Sequence, residues 1–389
     1  MRINLILAFL LSSVIFFDGY SQSKKETRVE KKAVRKAKKQ KKLDEGKFMI
    51  TPVAAPGYTP ELGGLIAVGG LASFKTDKSD TVIQRSSLPF TIGYTSTGAV
   101  IGQAILTSYW FEDRLRIFGD FWYKNMPDHY WGVGYENGVN VAKSDSTTAY
   151  TRQWWWINPR FLYQFKPNYF VGLNIDYNST EGSSESFGVD SDSTYQLYNN
   201  TPMNGGVGVI ARYDSRDIPV DARKGIFIDL RGTFYSDVIG SQNNYQVYQL
   251  DYRQFHTINK DGHVLAWQMK TRISNGEVPY GEMSQLGTPF DLRGYQWGRF
   301  RDNNMFYFLT EYRNTFYKKN GEMSKHAAVV WMGSGTVFNE QQIRNNDLSW
   351  LPNFGIGYRL EVQPRMNLRL DYGIGRESTG IYFNFNQAF

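Results

Sequence analysis

Four histidines, His129, His256, His263 and His326, are the side chains best suited to move protons near neutral pH. A catalytic imidazole needs a nucleophile and an orienting group within hydrogen-bond reach. Neither a G-x-S-x-G elbow nor an H-x-x-x-H spacing accompanies any of the four. They fall near the ends of predicted strands, on the side of the short turns, where polar side chains are tolerated. Asp214 and Asp217 have the spacing of a carboxylate pair, but Pro219 and Gly225 follow closely, so both acids are expected to bond the main chain of a polar turn. Gly132-Val133-Gly134 and Gly205-Gly206 precede no predicted helix and so form no phosphate cradle. The absence of cysteine removes disulfides, thiolate nucleophiles and thiolate metal sites. No catalytic residue, metal or cofactor is expected, and function must be sought in the architecture.

The amino-terminal residues point to export. Met1-Arg2-Ile3-Asn4, an apolar run from Leu5 to Phe17 and then Gly19-Tyr20-Ser21 make a basic segment, a hydrophobic segment and a small-residue cleavage site. Residues 1–21 therefore read as a secretory signal peptide. The run is shorter than the roughly 18 apolar residues of a permanent anchor. Residues 22–47 form a basic arm, in which Lys24 to Lys47 carries twelve Lys or Arg against four acids, a net of +8 within a whole-chain net of +7. The basic pI thus belongs to the arm, which is expected to be a short helix or a solvated segment. Each basic residue near an anionic membrane surface contributes about 1 kcal/mol, so lipid headgroups or a periplasmic protein are its expected contacts. Nucleic acid is not.

Residues 48–389 hold no stretch of about 20 apolar residues, which excludes a helical membrane domain. Aromatics make up 16% of residues while mean hydropathy is negative, as expected where only alternate residues meet lipid. Val171, Leu173, Ile175 and Tyr177 alternate with Gly172, Asn174, Asp176 and Asn178, and Leu368, Leu370 and Tyr372 alternate with Arg369, Asp371 and Gly373. Strands are predicted near 62–74, 87–95, 99–110, 114–123, 129–137, 150–165, 168–180, 204–214, 225–237, 245–257, 262–274, 304–317, 326–335, 352–362, 367–374 and 380–389. Sixteen antiparallel strands imply an all-β transmembrane barrel, with short turns on one side and longer loops such as 181–203 and 275–303 on the other. Both termini are then expected on the periplasmic side of the outer membrane.

Three segments are more specific than the strand count. Asp214, Arg216, Asp217 and Pro219 with Gly225 form a polar turn; Leu292-Arg293-Gly294-Tyr295 stands near the end of the longest loop; and Phe383, Phe385 and Phe389 close the chain at near-alternate spacing. Together they resemble the BamA/TamA superfamily of outer-membrane insertases and two-partner secretion transporters. The resemblance runs over about 48–389. It implies a sixteen-stranded barrel whose sixth external loop, here 275–303, folds into the lumen with Arg293, Gly294 and Tyr295 at its tip. It also implies an inward acid on the next strand, matched by Glu311, and an Asp on the strand after, where Gly333 stands instead. The interval from Gln22 to Phe48 is too short for a POTRA domain, so a member without POTRA domains is expected.

Strand parity points Glu311 and Asp371 inward, so Arg293 is predicted to pair in a bidentate manner with Glu311, with Asp371 as second choice. An unpaired buried charge costs several kcal/mol. The terminal aromatics are expected to face lipid and to serve as the signal read by the barrel assembly machinery. Three functions fit: insertion or translocation of protein or lipid, a non-transporting subunit or anchor of an outer-membrane complex, and a passive porin. An intruding loop argues against the last.

Overall fold

The computed structural model describes residues 34, 37–38, 40–59, 63–80 and 83–389. The signal peptide expected over 1–21 lies outside the described residues. Two units are distinguished, Met1–Lys47 and Phe48–Phe389. In the first, the described residues from Val34 to Asp44 are helical.

The second unit is built from β1 (Met49–Thr59), β2 (Gly63–Phe74), β3 (Ser86–Thr95), β4 (Val100–Trp110), β5 (Leu115–His129), β6 (Ala149–Lys166), β7 (Tyr169–Ser183), β8 (Asn200–Asp214), β9 (Gly225–Tyr235), β10 (Tyr245–Thr257), β11 (His263–Gly276), β12 (Ser284–Gln285), β13 (Arg301–Asp302), β14 (Asn304–Tyr317), β15 (Met323–Phe338), β16 (Leu351–Gln363), β17 (Met366–Gly375) and β18 (Ser378–Phe385). Apart from the short β12–β13 ladder, the described strands join in one antiparallel barrel of sixteen. Alternation decides which face is which. Leu173 is 62% exposed and Ile356 61%, whereas Asp229 and Arg359 on the opposite face are buried. A water-soluble sheet would reverse that pattern, so the apolar outer wall is the lipid surface.

The strand count agrees with the sequence, but two of its members differ. β1 is absent from the predicted set because Pro52 and Pro56 lower its strand propensity and Val53-Ala54-Ala55-Pro56-Gly57 shows no polar and apolar alternation. The strand predicted over 129–137 does not exist. β5 runs on to His129, after which Gly132 and Gly134 take positive φ values of 91° and 99° and end the extended chain. Tyr135–Asn140 is a short helix, so Gly134 does precede a helix, contrary to the sequence reading; its N–H bonds to Arg301 O at 2.7 Å. The last strand stops at Phe385 rather than 389, because Asn386 turns away at φ 61°.

With β1 included, β1 enters and β18 leaves at the same rim. Most connections at that rim are short, such as 111–114, 167–168 and 364–365, and the opposite rim carries 130–148, 184–199 and 277–303. His256, His263 and His326 lie at the short-turn rim. His129 does not: it ends β5 at the long-loop rim, because β1, absent from the predicted set, reverses the direction of the strands from β2 to β5.

Candidate functional site

The connection 277–303 is the longest between barrel strands, and its tip is buried. Leu292, Arg293 and Tyr295 have no exposed surface. Gly294 adopts φ 113°, and a Cβ there would lie 2.7 Å from main-chain atoms of Gly373 and Gly375, so only glycine fits. Its N–H donates to the Tyr382 hydroxyl at 2.9 Å, and the Tyr295 hydroxyl donates to Pro352 O at 2.7 Å. The Asn353 amide donates to Arg293 O. The loop tip is therefore fixed to β16, β17 and β18 by its main chain as well as by its side chains.

The Arg293 guanidinium is divided between two acids. Nη1 donates to Asp371 Oδ2 at 2.6 Å and Nη2 to Glu311 Oε2 at 3.3 Å, while the guanidinium carbon sits 3.6 Å from the Trp331 ring centroid. The predicted bidentate pair with Glu311 is thus corrected to one bond to each acid, with Asp371 nearer. The reason is competition: Glu311 Oε1 is taken by Arg313 Nε at 2.7 Å. Asp371 Oδ1 in turn accepts from Arg359 Nη1 at 2.5 Å, and Arg369 Nε lies 3.5 Å from Oδ2. Four guanidinium groups thus surround two carboxylates, all of them buried. Buried charges of this kind persist only when paired, and loss of a partner is expensive.

The wall beneath the tip is flattened by glycines, of which sequence reasoning singled out only Gly333. Gly333-Ser334-Gly335, Gly355-Ile356-Gly357 and Gly373-Ile374-Gly375 place inward-facing glycines on three successive strands, β15, β16 and β17. A Cβ at Gly335 would lie 2.9 Å from Leu292, and one at Gly375 would lie 2.7 Å from the Tyr295 ring. A Cβ at Gly373 would overlap Arg293 O, and one at Gly357 would overlap the Asp371 carboxylate. Gly335, Gly373 and Gly375 thus line a groove for the loop, whereas a Cβ at Gly333 would strike Phe308 O and Leu309 on the neighbouring strand β14. The repeated G-x-G at inward parity was the signal available in the sequence.

The turn predicted around Asp214 does more than join β8 to β9. Asp214 accepts from Arg116 at 2.6 Å and from Arg216 Nε at 2.8 Å, and Arg216 also donates to Pro219 O at 3.2 Å. Gly225 takes φ 109°, where a side chain would strike Ser215. Asp217 and Asp221 then reach across the short-turn mouth to Arg365 on the β16–β17 turn, at 2.9 and 2.7 Å.

The segment after β18 joins this closure. Gln387 bonds Asp221 at 2.8 Å and Arg359 at 2.8 Å, and Phe389 packs on Phe255 with ring centroids 6.3 Å apart. Phe389 is thus inside the barrel, not on lipid, because the chain reverses at Asn386. Phe385 is also buried, against Leu71 and Met366, and Phe383 is half-buried. The expectation of lipid-facing aromatics fails for Phe389 and for the buried Phe385, whereas Phe383 keeps the outward parity of Ile381.

The barrel closes weakly in one place. Among the described residues β1 and β18 meet at the single pair Tyr58↔Ile381, whereas the β1–β2 ladder runs over all eleven residues of β1. Pro52 and Pro56 share parity and lack N–H donors. Since the β2 side is continuously paired, the missing donors fall on the edge facing β18. A cavity of about 130 Å³ lies behind this seam, lined by Pro56, Ile381, Phe383 and the loop residue Trp297 among others.

Known folds match this arrangement. BamA from Haemophilus ducreyi lacking POTRA domains 1–3 is 14% identical, over 87% of this chain and 69% of its own, with a TM-score of 0.52. CdiB from Escherichia coli is 9% identical over 87% of this chain and 62% of its own, at 0.56. CdiB from Acinetobacter baumannii is 11% identical over 87% and 59%, at 0.50. This chain spans about three-fifths of either CdiB, and at such identities the likeness is one of fold. No curated protein sequence matches it. Residues 86–389 match the Omp85 superfamily domain, whose β-barrels are outer-membrane proteins of Gram-negative bacteria. That match takes in well over half of the chain, including the loop tip and both of its acids, and the protein belongs to the Omp85 superfamily.

Proposed function

We propose that this protein inserts or translocates protein or lipid at the outer membrane through the seam between β1 and β18, while its lumen stays closed. The observation that carries this reading is the contrast between the single pair joining β1 to β18 among the described residues and the six to fifteen pairs of every other barrel ladder. Few main-chain hydrogen bonds must break to part that edge, and the exposed edge of β1 or β18 is then free to pair with an incoming strand. The lumen is a poor route by comparison, being occupied by 277–303 and crossed at the short-turn mouth by Asp217, Asp221 and Gln387.

In this reading residues 1–21 direct export, 22–47 form the basic arm and 48–389 form the barrel, with both termini in the periplasm. Its partners are outer-membrane lipid, the assembly machinery that folds it and a periplasmic or outer-membrane protein. The barrel itself performs no covalent chemistry. Of the four histidines, His129 Nδ1 meets Thr148 Oγ1 at 2.9 Å, but that hydroxyl donates to Ser144 O at 3.0 Å and is held in a turn.

Single-channel recording separates this from a passive porin. The wild type is expected to be closed in a planar bilayer, and deletion of 277–303 is expected to raise conductance. A steadily open wild type overturns the closed-lumen reading.

A further inference from the structure

Tryptophan is out of place in the polar interior of a barrel, yet four indoles gather there. Trp122 on β5 and Trp154 and Trp156 on β6 have inward parity, and Trp297 descends from the loop. Trp154 and Trp156 are stacked with centroids 6.4 Å apart, and Trp297 stands edge-on to Trp122 and to Trp154, at 5.9 Å from each. Trp122 and Trp154 are buried, whereas Trp156 and Trp297 are half-buried. Both half-buried rings are held in place. The Trp156 indole N–H donates to Asp176 at 2.8 Å, and Lys124 Nζ lies 3.1 Å from the Trp297 ring centroid.

These rings line one side of a cavity of about 260 Å³, whose other sides present Arg152, Asp176, Arg272 and Glu282. Two cations and two acids cancel, so the cavity selects neither a polyanion nor a polycation. An acyl chain is excluded by the four charged groups it would desolvate. A peptide strand finds no free barrel edge, since β5 to β10 are paired on both sides. What remains is a neutral ligand with apolar ring faces and a rim of hydroxyls. We infer that the indole-lined cavity is a binding site for a neutral saccharide, one pyranose face lying on Trp156 or Trp297 and its hydroxyls bonding the charged rim. Carbohydrate C–H groups pack on aromatic faces, and carboxylate and guanidinium groups take hydroxyls in pairs. The inference stands apart from the insertion reading, because the seam is not needed for it.

The full-length protein in an amine-oxide detergent, which carries no sugar headgroup, is titrated with maltohexaose and separately with chitotetraose while tryptophan emission is followed. Saturable binding of at least one is expected. Trp156→Ala and Trp297→Ala should each weaken it at least tenfold, and Trp297→Phe should recover part of the loss. Trp155→Ala, on the outward face beside Ile157, should leave it unchanged. Failure of both sugars to saturate, binding that survives loss of both half-buried rings, or an equal loss in Trp155→Ala overturns the inference.

Discussion

Arg293 and Asp371 lie 2.6 Å apart, tying the tip of the lumen loop to the penultimate strand of the barrel as well as to Glu311 on the strand that follows it. Because four guanidinium groups share two carboxylates, the cluster is limited by its acids. Arg293→Ala leaves Asp371 with Arg359 and Arg369, and Glu311 with Arg313. Asp371→Asn instead strips a partner from three cations at once. Removing one member of a buried pair costs about 3–5 kcal/mol, so Asp371→Asn is expected at or above that range and Arg293→Ala below it. Urea unfolding of the detergent-solubilised barrel ranks the two, and the opposite order would show that the arginines are not competing.

Gly373 is the point where the loop main chain touches the wall most closely. Gly373→Leu is expected to lift the loop tip without breaking the ladder, because the added atoms meet Arg293 O rather than a neighbouring strand. Limited proteolysis should then cut within 277–303. Gly102→Ala is the matched control, since its Cβ meets only Tyr123 Cβ at 3.7 Å. Equal protease resistance in both variants contradicts the groove.

Much of this was legible in the sequence, and what was not has physical causes. Period-two alternation located most strands, because each has one lipid-facing and one lumen-facing side. β1 was illegible because its middle does not alternate, and its prolines lower strand propensity while leaving its β2 edge intact. The loop tip was legible as a motif and Glu311 and Asp371 as its acids, since parity alone turns both inward. Parity does not say how an acid is shared, so the competition from Arg313 and Arg359 could not be read. Nor could the reversal at Asn386, which places Phe389 in the lumen although its spacing suits a strand.

Phe389 now has a packing role to test. Truncating a buried Phe to Ala costs about 3–5 kcal/mol, and here it also frees the contacts with Phe255 and Arg313. Phe389→Ala is expected to lower the unfolding midpoint of barrels already assembled, with Phe389→Leu intermediate. An unchanged midpoint in both would confine the residue to biogenesis.

The closure of the short-turn mouth should depend on pH. Burial works against ionisation of Asp217, but the Arg223 main-chain N–H and the Arg365 guanidinium outweigh it and hold the carboxyl below the usual range. A depressed folded-state pKa stabilises above the unfolded value of about 3.9, and that stabilisation is lost as pH falls through the lowered value. The stability difference between wild type and Asp217→Asn is therefore expected to be full at pH 7 and to shrink below about pH 4. A difference that does not change with pH contradicts the ionic clamp.

Locking the seam shows whether it is the working edge. The chain has no cysteine, so Tyr58→Cys with Ile381→Cys introduces one disulfide at the only residue pair joining β1 and β18 among the described residues. Ile66→Cys with Tyr94→Cys does the same across the continuous β2–β3 ladder. Each protein is reconstituted in liposomes, and the folding rate of a urea-unfolded eight-stranded barrel is followed by heat-modifiable mobility. Wild type is expected to accelerate insertion, oxidation of the seam pair to abolish the acceleration and reduction to restore it, and the β2–β3 disulfide to have no effect. Acceleration that persists with the seam oxidised would contradict it.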